Sequence, residues 1–188
     1  MTTQADYTPD DWETLRLAPA MAAEAIRLAG PSGPGGRFLE GRADRRATRA
    51  ALARLGTVAL IADLDRAGLD PASSPDDDDD AAGIEAYIAG AIAEATNAHG
   101  ILAAAAAPDE VEAYASLVMD IAEAVARAAG EPGSDANVSA GERTLLVQLA
   151  AALGMDGYEP PRRMDSPFGD YRDVGKAERE LYGDDPVG

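Results

Sequence analysis

Residues 108–155 constrain the fold most, because this one stretch encodes a helix, a loop and a second helix. Pro108 suits a first helical turn, where its missing N–H costs no hydrogen bond, and the acidic Asp109 and Glu110 favour the positive end of a helix dipole. Apolar residues then recur three or four positions apart, as along one face of an amphipathic helix. They are Val111, Tyr114, Val118, Ile121, Val125 and Ala128. The pattern predicts a long helix that ends at Gly130.

A second helix is predicted to begin at Ser139. Ser139 and Glu142 have the spacing of a capping box, in which each side chain accepts a hydrogen bond from the backbone N–H of the other residue. A leucine stripe follows, and Gly154 is expected to end the helix. The stripe comprises Leu145, Leu146, Leu149 and Leu153. This hairpin specifies architecture and contains no recognisable catalytic set of residues.

The N-terminal part predicts short helices separated by residues that interrupt them. Thr8 and the proline after it form a helix-start signal, and Pro19 is expected to end the first helix. A second helix is predicted over residues 20–29. The glycine- and proline-rich residues 30–36 then predict a loop.

Two further stretches also predict helix. A basic stretch over residues 37–56 predicts a helix. Residues 57–67 are predicted either to continue it or to restart after a kink at Gly56, with Val58, Leu60, Ile61 and Leu64 facing inward. Residues 81–107 predict a long alanine-rich helix, with Gly100 as a candidate break. The single histidine, His99, is interpreted as a helix-end residue.

We therefore expect an all-α fold, with a single bundle of about six to eight helices over residues 1–157. An acidic linker at 69–81 lies within the bundle region, because five consecutive aspartates repel one another. An extended C-terminal tail at 158–188 carries a short helix near 174–182. An internal repeat of helix, loop and leucine stripe also allows two pseudo-symmetric helical hairpins.

Composition excludes several function classes. The formal net charge of −18 argues against nucleic acid as a partner, because binding to phosphates needs a concentrated basic surface. The absence of cysteine excludes disulfides, thiolate catalysis and sulfur-ligated metal sites. No segment predicts a membrane span or a signal peptide, so we expect a soluble cytoplasmic protein.

The loop of the C-terminal hairpin resembles that of a known family. Residues 135–142 are Asp-Ala-Asn-Val-Ser-Ala-Gly-Glu, followed by the leucine stripe. This octet resembles the D-G-x-[IV]-S-x-x-E loop of the tellurite-resistance TerB-like superfamily, with Ala136 in place of the glycine. The resemblance covers residues 108–155 and, through the repeat, 20–56. It implies an all-helical bundle with an acidic surface, associated with metal stress and membrane-linked protein complexes, and it does not imply an enzyme.

The leading functional hypothesis is a non-enzymatic helical interaction or scaffold module, stress-related and self-associating, whose partner is another protein or a second copy of the chain. Guanidinium groups bind carboxylates and phosphates in bidentate fashion, and aromatic side chains anchor interfaces. The partner-binding candidates are Arg42, Arg45, Arg46, Arg49, Phe168, Tyr171 and Tyr182. Alternatively, the arginines pair with acidic helices of the same subunit or of a second copy, and the aromatic tail packs on the protein's own body.

The alternative hypothesis is a metal-responsive stress protein. Asp135, Asn137 and Glu142 offer oxygen ligands for a hard divalent cation, although as N-terminal helix caps the same residues need no ion. No other cofactor is expected. A di-metal enzyme built on Glu94 and Glu123 is a third hypothesis, and it lacks the Glu-x-x-His motif of such centres.

Overall fold

The computed structural model describes residues 1–30, 45–46, 48–69, 81–128 and 138–161. Five α-helices and one 3₁₀ helix make up most of this part of the chain, and residues 45, 46 and 48–55 are helical as well. The 3₁₀ helix is Gln4–Asp6, and the α-helices are α1 (Pro9–Ala29), α2 (Ala59–Ala67), α3 (Ala81–Ala105), α4 (Pro108–Ala128) and α5 (Ala140–Ala152). The predicted all-α bundle is confirmed, with no strand in the described ranges.

Helix α4 lies at the centre of the bundle and packs against the other four α-helices. The face predicted from the sequence is confirmed, since Tyr114, Val118, Ile121 and Val125 are all buried. Burial extends beyond that face to residues such as Leu117, because neighbours surround α4 on several sides.

The predicted break at Pro19 is wrong, because α1 runs through it without interruption. Proline lacks the N–H that would bond the carbonyl oxygen of Leu15, four residues earlier in the helix. The hydroxyl of Tyr114 on α4 donates to that oxygen instead, at 2.9 Å and in the buried core. The lost helical hydrogen bond is thus replaced by one from a neighbouring helix.

The basic stretch adopts the second of its two predicted alternatives. Its helix ends at Leu55, turns at Gly56, and restarts as α2. Leu60, Ile61 and Leu64 of α2 are completely buried, as the sequence predicts.

Helix α3 continues through Gly100, so the candidate break there is wrong. The assignment of His99 to a helix end is also wrong, because His99 lies inside α3. Its ring packs on the backbone of Gly154, where the Cβ atom of any larger residue would lie 2.6 Å from His99 Cε1. Gly154 has φ of 72°, so this position requires glycine on two grounds.

The first turn of α5 approaches the end of α1 closely. The carbonyl oxygen of Ala29 lies so near Gly141 that a Cβ there would be 2.8 Å from it. The predicted capping box at this helix start is confirmed, since Glu142 N–H donates to Ser139 Oγ at 3.2 Å and Ser139 N–H donates to Glu142 Oε2 at 2.6 Å.

The N-terminal residues are held on the bundle by two carboxylates. Thr2 N–H donates to Glu110 Oε1 at 2.7 Å, and Gln4 N–H donates to Asp63 Oδ2 at 3.1 Å. Tyr7 also stacks on Trp12 of α1, with ring centroids 6.0 Å apart. These contacts join the N-terminal segment to α1, α2 and α4.

Several predictions concern residues that the structure does not describe. They are the loop at 30–36 beyond its first residue, nearly all of the acidic linker, the short helix near 174–182 and the hairpin symmetry, which depends on residues 31–44. Among the helices that are described, none is both long and apolar enough to cross a membrane.

Candidate interaction surface

The basic segment, which comprises residues 45, 46 and 48–55, carries three of the predicted partner-binding arginines. Arg45, Arg46 and Arg49 are all exposed. With successive residues 100° apart around a helix, these three side chains lie within an arc of about 100°. Burial begins only at Ala51 and Leu52, so the C-terminal half of the segment anchors it while the arginines stand at its solvent-exposed end.

One arginine of this segment is paired within the protein. Arg54 forms an exposed ion pair with Asp120 of α4, as the self-pairing interpretation predicts. Within the described ranges, by contrast, no carboxylate pairs with Arg45, Arg46 or Arg49. Three neighbouring cations therefore face solvent on a protein with a strong excess of acids.

The start of the C-terminal tail lies on α4. Tyr158 is half-buried and its hydroxyl donates to Glu123 Oε1 at 2.7 Å, while Arg127 pairs with the other oxygen of Glu123. Burial raises the pKa of Tyr158, and its hydrogen bond to Glu123 raises the pKa further. The other predicted partner-binding residues, Arg42, Phe168, Tyr171 and Tyr182, lie outside the described residues.

The predicted cation site is described at one residue only. Asp135 and Asn137 lie outside the described ranges, while Glu142 is completely buried and its Oε2 accepts the capping hydrogen bond. No group of three or more histidine, aspartate or glutamate side chains placed to hold a metal occurs among the described residues. The helix-cap interpretation is confirmed for Ser139 and Glu142, and cation binding stays a prediction.

Three glutamates are buried in the described part of the bundle, and each contributes to structure. Glu24 pairs with Arg27 one turn along α1, and Glu142 caps α5. Glu110 accepts from Thr2 N–H and, at 3.1 Å, from Ala107 N–H at the start of α4. Burial alone would raise the pKa of Glu110, but these backbone hydrogen bonds, together with the nearby N-terminal ammonium group and the Thr2 side chain, outweigh it and lower the pKa.

The sequence indicates for Glu110 only a favourable position at the positive end of a helix dipole. The Ala107–Glu110 contact follows from local spacing and was accessible from the sequence, but Thr2 is 108 positions away and no periodicity indicates that contact. Of the pair predicted for a di-metal centre, Glu123 is already bound by Tyr158 and Arg127.

Comparisons with known proteins identify no relative of this chain. No family model, no curated protein and no solved structure matches the chain. The resemblance to TerB-like proteins therefore stays a prediction.

Proposed function

We propose that this protein is a non-enzymatic helical interaction module whose basic segment binds an anionic segment of another protein, rich in carboxylates or carrying phosphates. The observation that carries the proposal is the exposure of Arg45, Arg46 and Arg49 side by side, with no carboxylate of the described chain paired to them.

The charge balance favours an interaction function for these arginines. The chain has 34 acidic residues against 16 basic ones, so cations that only balanced charge would find carboxylates of their own protein nearby. Arg27, Arg54, Arg66 and Arg127 each do so. The three arginines at the exposed end of the basic segment depart from that pattern.

The roles of the buried carboxylates support a non-enzymatic function. General acid–base catalysis needs a carboxyl group that reaches a substrate and exchanges a proton with it. Glu24 instead pairs with Arg27, and Glu110 accepts hydrogen bonds from backbone N–H groups. Glu142 accepts the capping hydrogen bond from Ser139 N–H. These contacts give each of the three carboxylates a structural role.

The test is binding of labelled peptides to the full chain. A glutamate-rich peptide and a peptide carrying two phosphoserines represent the two sources of negative charge. We expect the combined Arg45→Gln, Arg46→Gln and Arg49→Gln variant to bind about thirtyfold more weakly, since three exposed charge pairs sum to about 2 kcal/mol. Binding should also weaken as salt is raised.

The matched control changes the same number of charges elsewhere. It combines Arg66→Gln on α2, Arg127→Gln on α4 and Arg143→Gln on α5. This combined variant should retain the affinity of the unmodified protein. Equal losses in the two variants would show only a response to net charge and would overturn the proposal, as would tighter binding to single-stranded RNA than to either peptide.

A further inference from the structure

Two neighbouring carboxylates of α4 bring the start of the C-terminal tail next to the basic segment. Asp120 pairs with Arg54 of the basic segment, and Glu123 accepts a hydrogen bond from the Tyr158 hydroxyl at 2.7 Å. Residues three apart on a helix are neighbours, with about 5–6 Å between their Cβ atoms. Arg54 and Tyr158 therefore contact adjacent positions on the same helix.

The turn that brings Tyr158 to α4 is well defined. Gly154 and Gly157 have φ of 72° and 74°, a backbone conformation that residues with a side chain rarely adopt. Between them, Met155 N–H donates to Ala150 O at 2.9 Å, and the side chains of Met155 and Tyr158 pack against the core. The rest of the tail thus starts from a fixed point beside the basic segment.

The exposed arginines are within reach of the tail that follows. Arg49 and Arg45 precede Arg54 by five and nine residues, which is about 8 and 14 Å along a helix axis. Asp170 is nine residues beyond Pro161, where the described part of the chain ends, and nine residues span at most about 32 Å. The length of the chain therefore allows Asp170 to reach any of these arginines.

Residues 164–173, termed here the tail motif, are complementary to the arginines in charge and in side-chain type. The motif carries three carboxylates and one guanidinium group, so its net charge is −2. It also contains Phe168 and Tyr171, and aromatic rings stack on guanidinium groups. The carboxylates belong to Asp165, Asp170 and Asp173.

We propose that the tail motif binds the basic segment of its own chain and competes there with the anionic partner. A segment attached beside its target acts at an effective concentration in the millimolar range, so a weak contact is enough to occupy the arginines in a large fraction of chains. The apparent affinity of the partner falls by the same fraction. This competition rests on the proposed function, because it requires a partner that uses the same arginines.

Cysteine cross-linking of the full chain tests the contact, because the natural chain has no cysteine. Ala50 is exposed in the basic segment, and Ala151 is a matched exposed alanine of α5 that is closer to the tail in the sequence. We expect Ala50→Cys with Gly169→Cys to form a disulfide within one chain about tenfold faster than Ala151→Cys with Gly169→Cys. Adding Arg45→Gln, Arg46→Gln and Arg49→Gln to the first pair should remove this advantage.

Peptide binding tests the competition. The combined Asp165→Asn, Asp170→Asn and Asp173→Asn variant should bind the glutamate-rich peptide about two- to fivefold more tightly than the natural chain, as expected if the motif occupies the arginines in half to four-fifths of chains. The matched control combines Glu178→Gln, Glu180→Gln and Asp184→Asn, which change the charge of the tail equally. Its affinity should equal that of the natural chain, and equal gains in both variants would overturn the competition.

The two measurements separate this proposal from the proposed function. If the peptides bind through the arginines but both cysteine pairs react equally fast, the tail contact is overturned and the proposed function stands. If the pair with position 50 reacts faster but no peptide binds, the proposed function fails, and the competition fails with it. A disulfide that forms mainly between chains would place the tail of a second copy on the arginines, which also overturns the proposal.

Discussion

The hydroxyl of Tyr114 donates a hydrogen bond to the carbonyl oxygen of Leu15, the acceptor that Pro19 deprives of its helical N–H. Two features of the sequence that are almost a hundred residues apart are thereby coupled. The proline is tolerated in the middle of α1 because a tyrosine on α4 supplies the missing donor.

We predict that Tyr114→Phe lowers the free energy of unfolding by about 1–3 kcal/mol, because it leaves the Leu15 carbonyl buried without a donor. Pro19→Ala restores the backbone N–H at position 19, so Tyr114→Phe should cost less in that background. Urea unfolding of the four proteins in this cycle measures the coupling. An equal cost in both backgrounds would show that the two residues act independently.

We predict that Ser139→Ala destabilises the protein by about 1 kcal/mol, because it removes the side-chain acceptor for Glu142 N–H at the start of α5. Thr144→Ala is the matched control, since Thr144 is exposed and its hydroxyl bonds only to Ala140 O within the same helix. Thermal unfolding compares the two. If Thr144→Ala lost as much stability as Ser139→Ala, the result would contradict a special role for the cap.

We predict opposite effects for two glycine substitutions inside helices. Gly141→Ala should destabilise by about 1–3 kcal/mol, because its Cβ would lie 2.8 Å from Ala29 O and α5 would have to move away from α1. Gly90→Ala should stabilise by about 0.5–1 kcal/mol, because its nearest neighbour is Met21 Cε at 3.9 Å and alanine favours helix. Denaturant titrations give both values, and a neutral Gly141→Ala would contradict the close approach.

We predict that the contribution of Glu110 to stability is lost in acid. Its pKa in the folded protein lies below the ordinary value of 4.5, so its hydrogen bonds stabilise the fold above that pH and are lost as the pH falls through the lowered pKa. The difference in unfolding free energy between the natural protein and Glu110→Gln should be constant above about pH 5 and shrink below it. A difference that stays constant down to pH 3 would argue against this role.

Features that depend only on residues close together in the sequence could be predicted from their spacing. The capping box joins residues three apart, and the apolar face of α4 repeats within one helix, so both could be predicted. The continuation of α1 through Pro19 could not be predicted in this way, because Tyr114, which supplies the missing hydrogen bond, lies on another helix. The packing of His99 likewise depends on a distant residue, Gly154, whose lack of a side chain leaves space for the histidine ring.

The sequence predicts which residue types form the candidate site, but it does not predict which of the arginines form ion pairs. A run of arginines indicates an anion-binding surface, but the sequence does not say that Arg54 is occupied by Asp120 while Arg45, Arg46 and Arg49 are open. That distinction depends on which helix passes beside the segment.

The central position of α4 determines how the bundle comes apart. Because α4 touches all the other α-helices, its amide protons become available to solvent only when the whole domain unfolds. Helix α2, by contrast, packs mainly on α4 and on the 3₁₀ helix, so it can detach while the remainder persists. Native-state hydrogen exchange would therefore divide the chain into a cooperative unit around α4 and a more labile one at α2.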